Sequence, residues 1–213
     1  MITNHTTESL QAFEEKVATA FNNKEIPHPV HLEDGNYEQL IEVFNKYVNE
    51  TDWVSGTWRQ HVKCLLKGVP EDELFRAIKQ GKSIGLCFGA HRIVSSAIVG
   101  GIVPIALGIA QAIKWRGETN KVVCFLGDMS AETGIFYECV KYAEAWDLPV
   151  LWVIENNHKS VCSITKDVWN GDGFFTNVKK YKAGTVARLT KSVLYYEYES
   201  KFPHAGAGLR VQF

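Results

Sequence analysis

The sequence predicts an α/β fold built around a mostly parallel sheet, and three observations carry that reading. Lys121–Leu126 (KVVCFL) is a short β-branched and aromatic run bounded by Asn120 and Gly127. Leu148–Ile154 (LPVLWVI) is a second such run, ending at Glu155-Asn156-Asn157. Between them Ile135, Phe136, Cys139, Val140, Ala143 and Trp146 recur at helical spacing. Unbroken apolar runs are the mark of strands buried on both faces. Strand, helix and strand within about 35 residues make a βαβ unit, so the two strands should be parallel with a right-handed crossover.

The remaining elements follow in chain order. Leu10, Phe13, Val17, Ala20 and Phe21 give residues 8–24 a helical stripe, and Pro27, Pro29 and Gly35 mark 25–35 as a connection. Residues 36–48 are helical by the same spacing, and Thr57–Lys67 predicts another helix closed by Gly68. Pro70-Glu-Asp-Glu opens the next, with acids in the first turn where the helix dipole favours them. Ala97–Ile113 (AIVGGIVPIALGIAQAI) imitates a membrane span at about 17 residues, the lower limit for crossing. Gly100, Gly101, Pro104, Gly108 and Gln111 interrupt it, so it reads as a buried loop followed by a helix. Residues 170–177 are turn-rich, 179–191 basic and exposed, 195–198 an alternating short strand and 204–208 a flexible loop. Trp146 and Trp152 are core by spacing.

Composition bounds the function. The chain has 213 residues, 23 basic and 24 acidic, with a formal charge of −1 and 46% apolar residues. That length predicts one domain, 1–213, with a helical amino-terminal region over 1–50 and a variable, insertion-like stretch over 164–202. A balanced charge offers no basic field for nucleic acid or anionic lipid. The five cysteines are odd in number and never spaced C-x-x-C. They disfavour a disulfide framework or a structural zinc site and fit a reducing cytoplasm. Residues 1–20 lack the basic start and apolar run of a secretory signal.

The chemistry falls at the strand tips, because ligands bind beyond the carboxyl ends of parallel strands. Gly127-Asp128 follows the first run. Asn156-Asn157 follows the second, Asn157 lying 29 residues after Asp128. Adjacent parallel strands place these tips side by side, about one strand spacing apart. A carboxylate and an amide oxygen are hard ligands that suit Mg2+, which completes its octahedron with phosphate and water. The crossover helix, expected to open at Ser130-Ala131-Glu132, would turn free amides toward the same spot and so favour a phosphate.

Gly-Asp followed about 29 residues later by Asn-Asn resembles the magnesium diphosphate motif of thiamine diphosphate enzymes. Thr57–His61, Lys67–Pro70, Ala97–Gly108 and Phe125–Ser163 resemble the alpha subunit of 2-oxo-acid dehydrogenase first components, including the acetoin type. The amino-terminal half of transketolase is a more distant relative. The resemblance covers roughly 40–165 and the last dozen residues. It implies a doubly wound, mostly parallel sheet with helices on both faces, the thiamine diphosphate-binding fold.

The resemblance also implies roles. Asp128, the Asn157 side chain and the Lys159 carbonyl would bind Mg2+. Arg59 would contact the diphosphate through its planar donor fork, together with the amides of Ser130 and Ala131. Val99 matches the apolar residue under the bent thiamine diphosphate, and Gly100 and Gly101 allow close backbone approach. The sequence departs from the family pattern in places. Met129 stands where the motif has Gly, and Trp58 where a Tyr precedes the arginine. Ser83-Ile84-Gly85 lacks the family's histidine, for which His91 is the expected substitute. His91 and His204 are the candidate catalytic acid–base groups. His61 reads as structural, His5, His28, His31 and His158 as surface or loop residues, and Glu138 and Glu155 as solvated or supporting groups.

The family draws its activating glutamate from a beta subunit, and this sequence offers no candidate for it. The implied assembly is therefore α2β2, active only with that partner, acting on a small keto or sugar substrate and passing an acyl unit to a lipoyl acyltransferase. Two alternatives stand beside it: a split transketolase-like subunit moving a two-carbon ketol unit, and a non-catalytic regulatory subunit of the same fold.

Overall fold

The computed structural model describes residues 4–171, 173 and 184–208. The expectations for 170–177 and 179–191 fall partly outside those residues, as do the last five residues of the final dozen.

Two helices lead, α1 (Thr7–Asn22) and α2 (Tyr37–Tyr47). Thr6 caps α1 by accepting from the Ser9 amide at 3.3 Å, while the Thr6 amide donates to the Ser9 hydroxyl oxygen at 3.0 Å. Strand β1 (Trp53–Gly56) follows, then α3 (His61–Leu66) and α4 (Glu71–Ala77). The helix expected over Thr57–Lys67 is shorter than its spacing suggested. Trp53–Gly56 is a strand, and Thr57–Gln60 is the turn that leaves it. The short strands β2 (Cys87–Phe88) and β3 (Ile93–Ser95) come next, before α5 (Ile102–Trp115). The central unit is β4 (Val122–Gly127), α6 (Asp128–Ala131), α7 (Gly134–Ala145) and β5 (Val150–Asn156). A hairpin of β6 (Lys159–Ser160) and β7 (Ser163–Ile164) runs into α8 (Thr165–Trp169). β8 (Ala187–Arg188) and β9 (Val193–Glu197) complete the sheet.

The sheet order is β2-β3-β1-β4-β5-β9-β8. β3, β1, β4, β5 and β9 are mutually parallel, and only the edge strands β2 and β8 are antiparallel. Alternation along the buried strands feeds two cores. Val123 and Phe125 pack with α1 to α4 on one face. Val122, Cys124, Leu126, Trp152 and Ile154 pack with α5 and α7 on the other. This is the doubly wound arrangement, and it explains why neither strand run shows a polar face.

Four local expectations are corrected. The crossover helix is broken: α6 is a single turn, because the Thr133 amide and hydroxyl both return to the Ser130 carbonyl at 3.3 and 2.7 Å, and α7 starts only at Gly134. The short strand expected over 195–198 is present as β9, its residues running from Val193 to Glu197 without the expected alternation. They pair in parallel with β5, and Val193–Tyr196 are buried. Trp146 is not core. It is 57% exposed and stacks on Tyr142, since it lies past the end of α7 where the helical stripe has rotated away from the sheet. Ala97–Ile113 is a loop and a helix, but the loop is not buried: Ile98 and Val99 are exposed because they leave the sheet at its carboxyl edge, whereas Ile102, Val103, Ala106 and Ala110 of the helix are buried. Among the described residues no helix is long and apolar enough to cross a membrane.

Trp152 is fully buried and packs edge-on against Phe136, with ring centroids 5.6 Å apart. Trp152→Ala is expected to lower unfolding free energy by about 3–5 kcal/mol, measured by urea denaturation followed by circular dichroism.

Candidate active site

Parallel pairing sets Gly127 opposite Glu155, so β4 and β5 end together at the carboxyl edge of the sheet. β1 ends at the same edge, with Gly56 opposite Phe125 and Ser95 of β3. The segments leaving these strands line one cavity of about 350 Å3, within the range of small-molecule sites. Arg59, Val99, Asp128, Ser130, Asn157, Lys159 and His204 all line it. Sequence positions spread from 59 to 204 therefore meet in one place.

Asp128 is the most buried of them, 1% exposed. Burial raises its carboxyl above the usual range, and the hydroxyl of Thr165, donating to Oδ2 at 2.6 Å, works in the opposite direction. The Asn157 Oδ1 accepts from the Lys159 amide at 3.1 Å, a turn that starts β6. Arg59 is half-buried. Its Nε donates to the Leu32 carbonyl at 3.2 Å and its Nη2 to the His204 carbonyl at 3.3 Å. The guanidinium is thereby held at the cavity wall and ties in the carboxy-terminal loop. Trp58, the other departure in this turn, donates from Nε1 to the Ala97 carbonyl at 2.7 Å and so links the Arg59 turn to the Val99 loop.

Val99 and Ile98 stand 54% and 71% exposed at the rim. Gly100 has φ +72°, and a Cβ there would lie 3.1 Å from Ile135 Cγ2, so the loop needs glycine on both counts. Gly100 and the fully buried Ala131 do not themselves line the cavity; they belong to the backbone framing it.

His91 is placed elsewhere, which corrects the expectation for it. It ends the turn Gly89–His91, two residues ahead of Ile93. β3 runs parallel to β1, so its beginning lies at the amino edge, the opposite end of the sheet from Asp128. His61 is fully buried between Glu14 and Ser83, its Nε2 2.9 Å from the Ser83 hydroxyl. His31 is not a surface residue: it is 6% exposed and packs against Trp58 and His204 at 5.1 and 4.8 Å between ring centroids. His204 also meets the Trp58 ring edge-on. Burial first, and then the Arg59 charge, push the His204 imidazole below the usual histidine range, so the ring is neutral near pH 7.

Glu155 is not solvated either. It is buried, and it shares Lys63 with Glu33: Lys63 Nζ lies 2.9 Å from Glu155 and also bonds Glu33. Burial pushes the Glu155 carboxyl up to about 7, with Lys63 opposing and Glu33 adding to the rise. Burial works against the charge on Lys63, but the two glutamates outweigh it and its pKa is raised. Tyr196 donates to Glu155 at 2.5 Å, and Lys63 also donates to the Arg59 carbonyl at 2.9 Å. This cluster had one legible sign: a lysine inside the apolar stripe of a six-residue helix whose every residue is buried. Thr165 and Trp169, which reach the site from α8, had none.

Residues 5–176 match the family described as the dehydrogenase E1 component. The chain belongs to the dehydrogenase E1 component family. Relatives of this E1-family chain are alpha subunits. Pyruvate dehydrogenase E1 component subunit alpha-3, chloroplastic, of Oryza sativa subsp. japonica is 33% identical over 165 residues, covering 68% of this chain and 38% of its own length. The alpha subunits of acetoin:2,6-dichlorophenolindophenol oxidoreductase from Cupriavidus necator and Bacillus subtilis are 31% and 33% identical over 160 and 159 residues. Each covers 70% of this chain and 47% of the relative. The chain thus spans less than half the length of these curated relatives.

The His31 pocket gives this E1-family chain an acid-sensitive edge. Burial, reinforced by His204 and Arg59, lowers the His31 imidazole to about 3. The unfolded ring binds a proton below about 6.5 and the folded ring does not. Its contribution to stability is therefore whole above that pH and is lost as pH falls toward 3. The slope is at most about 1.4 kcal/mol per pH unit. Urea midpoints between pH 7 and 4 should fall less steeply in His31→Gln than in the parent chain.

Proposed function

We propose that this chain binds Mg2+ and thiamine diphosphate and is the alpha-type half of a two-chain enzyme that cleaves a carbon–carbon bond next to a ketone and passes on the acyl unit. One observation carries the reading: a buried carboxylate, an amide oxygen and an arginine, taken from three separate loops, line a single cavity where the central parallel strands end.

The donor set fits the group. Asp128, the Asn157 side chain and the Lys159 carbonyl are hard oxygen donors of the kind Mg2+ takes, few in number so that phosphate and water complete the shell. Arg59 supplies a fixed cation for the diphosphate, and the backbone amides of Ser130 and Ala131 lie in the turn just after Asp128. Val99, with Gly100 behind it, offers an apolar rim for the ring portion. Thiamine diphosphate, when bound, supplies the electron sink that cleavage next to a ketone requires.

The chain's own residues then have separate tasks. Arg59 binds the anion and, through the His204 carbonyl, holds the carboxy-terminal loop against the cavity. His204, kept neutral, can accept a proton from a substrate hydroxyl or hydrogen-bond to a ketone oxygen. Trp58 and His31 exclude water behind it. Val99, which lines the cavity, and its chain neighbour Ile98 are both exposed, which supports a second chain covering this side of the site. A beta-type partner that brings the activating glutamate suits that face. The names of the pyruvate and acetoin relatives favour a 2-oxo acid or a hydroxyketone as substrate over a sugar, with a lipoyl acyltransferase as acceptor, and a cytoplasmic setting belongs to the same reading.

Asp128→Ala should retain the far-ultraviolet circular dichroism spectrum and lose Mg2+-dependent thiamine diphosphate binding by calorimetry. Retained binding would sink the metal assignment and leave a non-catalytic subunit as the better account. Turnover of pyruvate with lipoamide should require a beta-type partner. Robust turnover by the lone chain would reject the shared site, and ketol transfer between a ketose and an aldose would reject the dehydrogenase reading.

A further inference from the structure

Two contacts of the β6–β7 hairpin and α8 fall on neighbouring residues of the metal corner. The Thr165 hydroxyl donates to Asp128 Oδ2 at 2.6 Å, both residues being buried, 6% and 1% exposed. The Trp169 indole Nε1 donates to the Met129 sulfur at 3.0 Å. Thr165 is itself fixed, since its amide donates to the His158 carbonyl at 3.0 Å and it opens α8.

We infer that Thr165 is a positioning residue for the metal-binding carboxylate, held in place by an arm, Lys159–Trp169, that grips the Asp128-Met129 corner at two points. The inference rests on the proposed Mg2+ and diphosphate site. A carboxylate turns in a broad, two-fold torsional well. A short hydrogen bond to an ionised oxygen is among the stronger ones, and burial strengthens it further. With Oδ2 occupied, the carboxylate presents its other oxygen to a cation and loses less orientational freedom on binding it. The arm begins at Lys159, whose carbonyl is a proposed third ligand, and ends beyond Thr165. One hairpin thus sets both a ligand and the orientation of another. Met129, where the family motif has glycine, provides a side chain for the second grip, and Trp169 supplies the matching donor.

The test titrates Mg2+ into the protein at fixed thiamine diphosphate, by calorimetry, for the parent chain, Thr165→Val and Thr165→Ser. Valine keeps the shape and removes the hydroxyl; serine restores it. Thr165→Val should weaken the apparent Mg2+ affinity about 10–100-fold, the range seen when a group orienting a metal ligand is removed. Thr165→Ser should regain most of that loss. Thr165→Val binding Mg2+ as well as the parent, or Thr165→Ser binding as poorly as valine, would overturn the inference, the latter by assigning the effect to packing. No Mg2+-dependent binding by the parent chain would instead remove the site on which the inference stands. Should Thr165→Val not fold, Trp169→Phe replaces it, since that half-exposed ring tolerates exchange. Loss of its N–H should weaken Mg2+ in the same direction by less, and no change would count against the arm.

Discussion

Parallel hydrogen bonding across β3, β1, β4, β5 and β9 is the constraint on which the site depends. Parallel strands must all end at one edge, so every segment leaving a carboxyl end emerges on the same side of the sheet. Gly56 sends Thr57–Arg59 there, Ser95 sends the Val99 loop, Gly127 sends Asp128 and Asn156 sends Asn157. An antiparallel partner at any of these positions would carry its connection to the far edge, as the place of His91 ahead of β3 illustrates.

Beneath that edge lies a cluster of charge that a hydrophobic sheet would not need for stability. Lys63 joins Glu33, Glu155 and the Arg59 carbonyl, while Asn36 donates to Glu33 at 2.9 Å and Tyr196 to Glu155. Buried ions repay their desolvation only when well paired, and removal of one partner is costly. Here the partners come from the segment after α1, from α3, from the β1–α3 turn and from the tip of β5. The cluster therefore locks the arginine turn to the strand that delivers Asn157. The hairpin arm does the same for Asp128 from the opposite side. Both Asp128 and the strand end before Asn157 are thus held by contacts from distant segments.

How much was legible depended on the distance over which each signal acts. The two buried strands, the crossover between them and the Gly-Asp and Asn-Asn tips were readable because apolar runs and spacing are local patterns. β1 was not, since four residues of Trp53–Gly56 are too short to show a period, and the Arg59 turn was absorbed into the helix after it. Trp146 misled for the opposite reason: its spacing was helical, but the stripe had left the core by the end of α7. Glu155 read as a solvated or supporting strand-end acid, and the sequence could not decide between the two because Lys63, 92 residues earlier, is invisible to any local pattern.

The sequence by itself determined the class of the fold, the two strand tips and the residue types there that suit a metal and a diphosphate. Those follow from hydrophobic period and from the chemistry of individual side chains, which need no neighbours to be read. Only the tertiary structure decided that His204 faces the cavity and His91 does not, that Lys63 is sunk between two glutamates, and that Thr165 closes on Asp128. Each of these is a contact between residues far apart in the chain. Such contacts are set by how helices and hairpins pack against the sheet, a property of the whole chain that no short stretch contains.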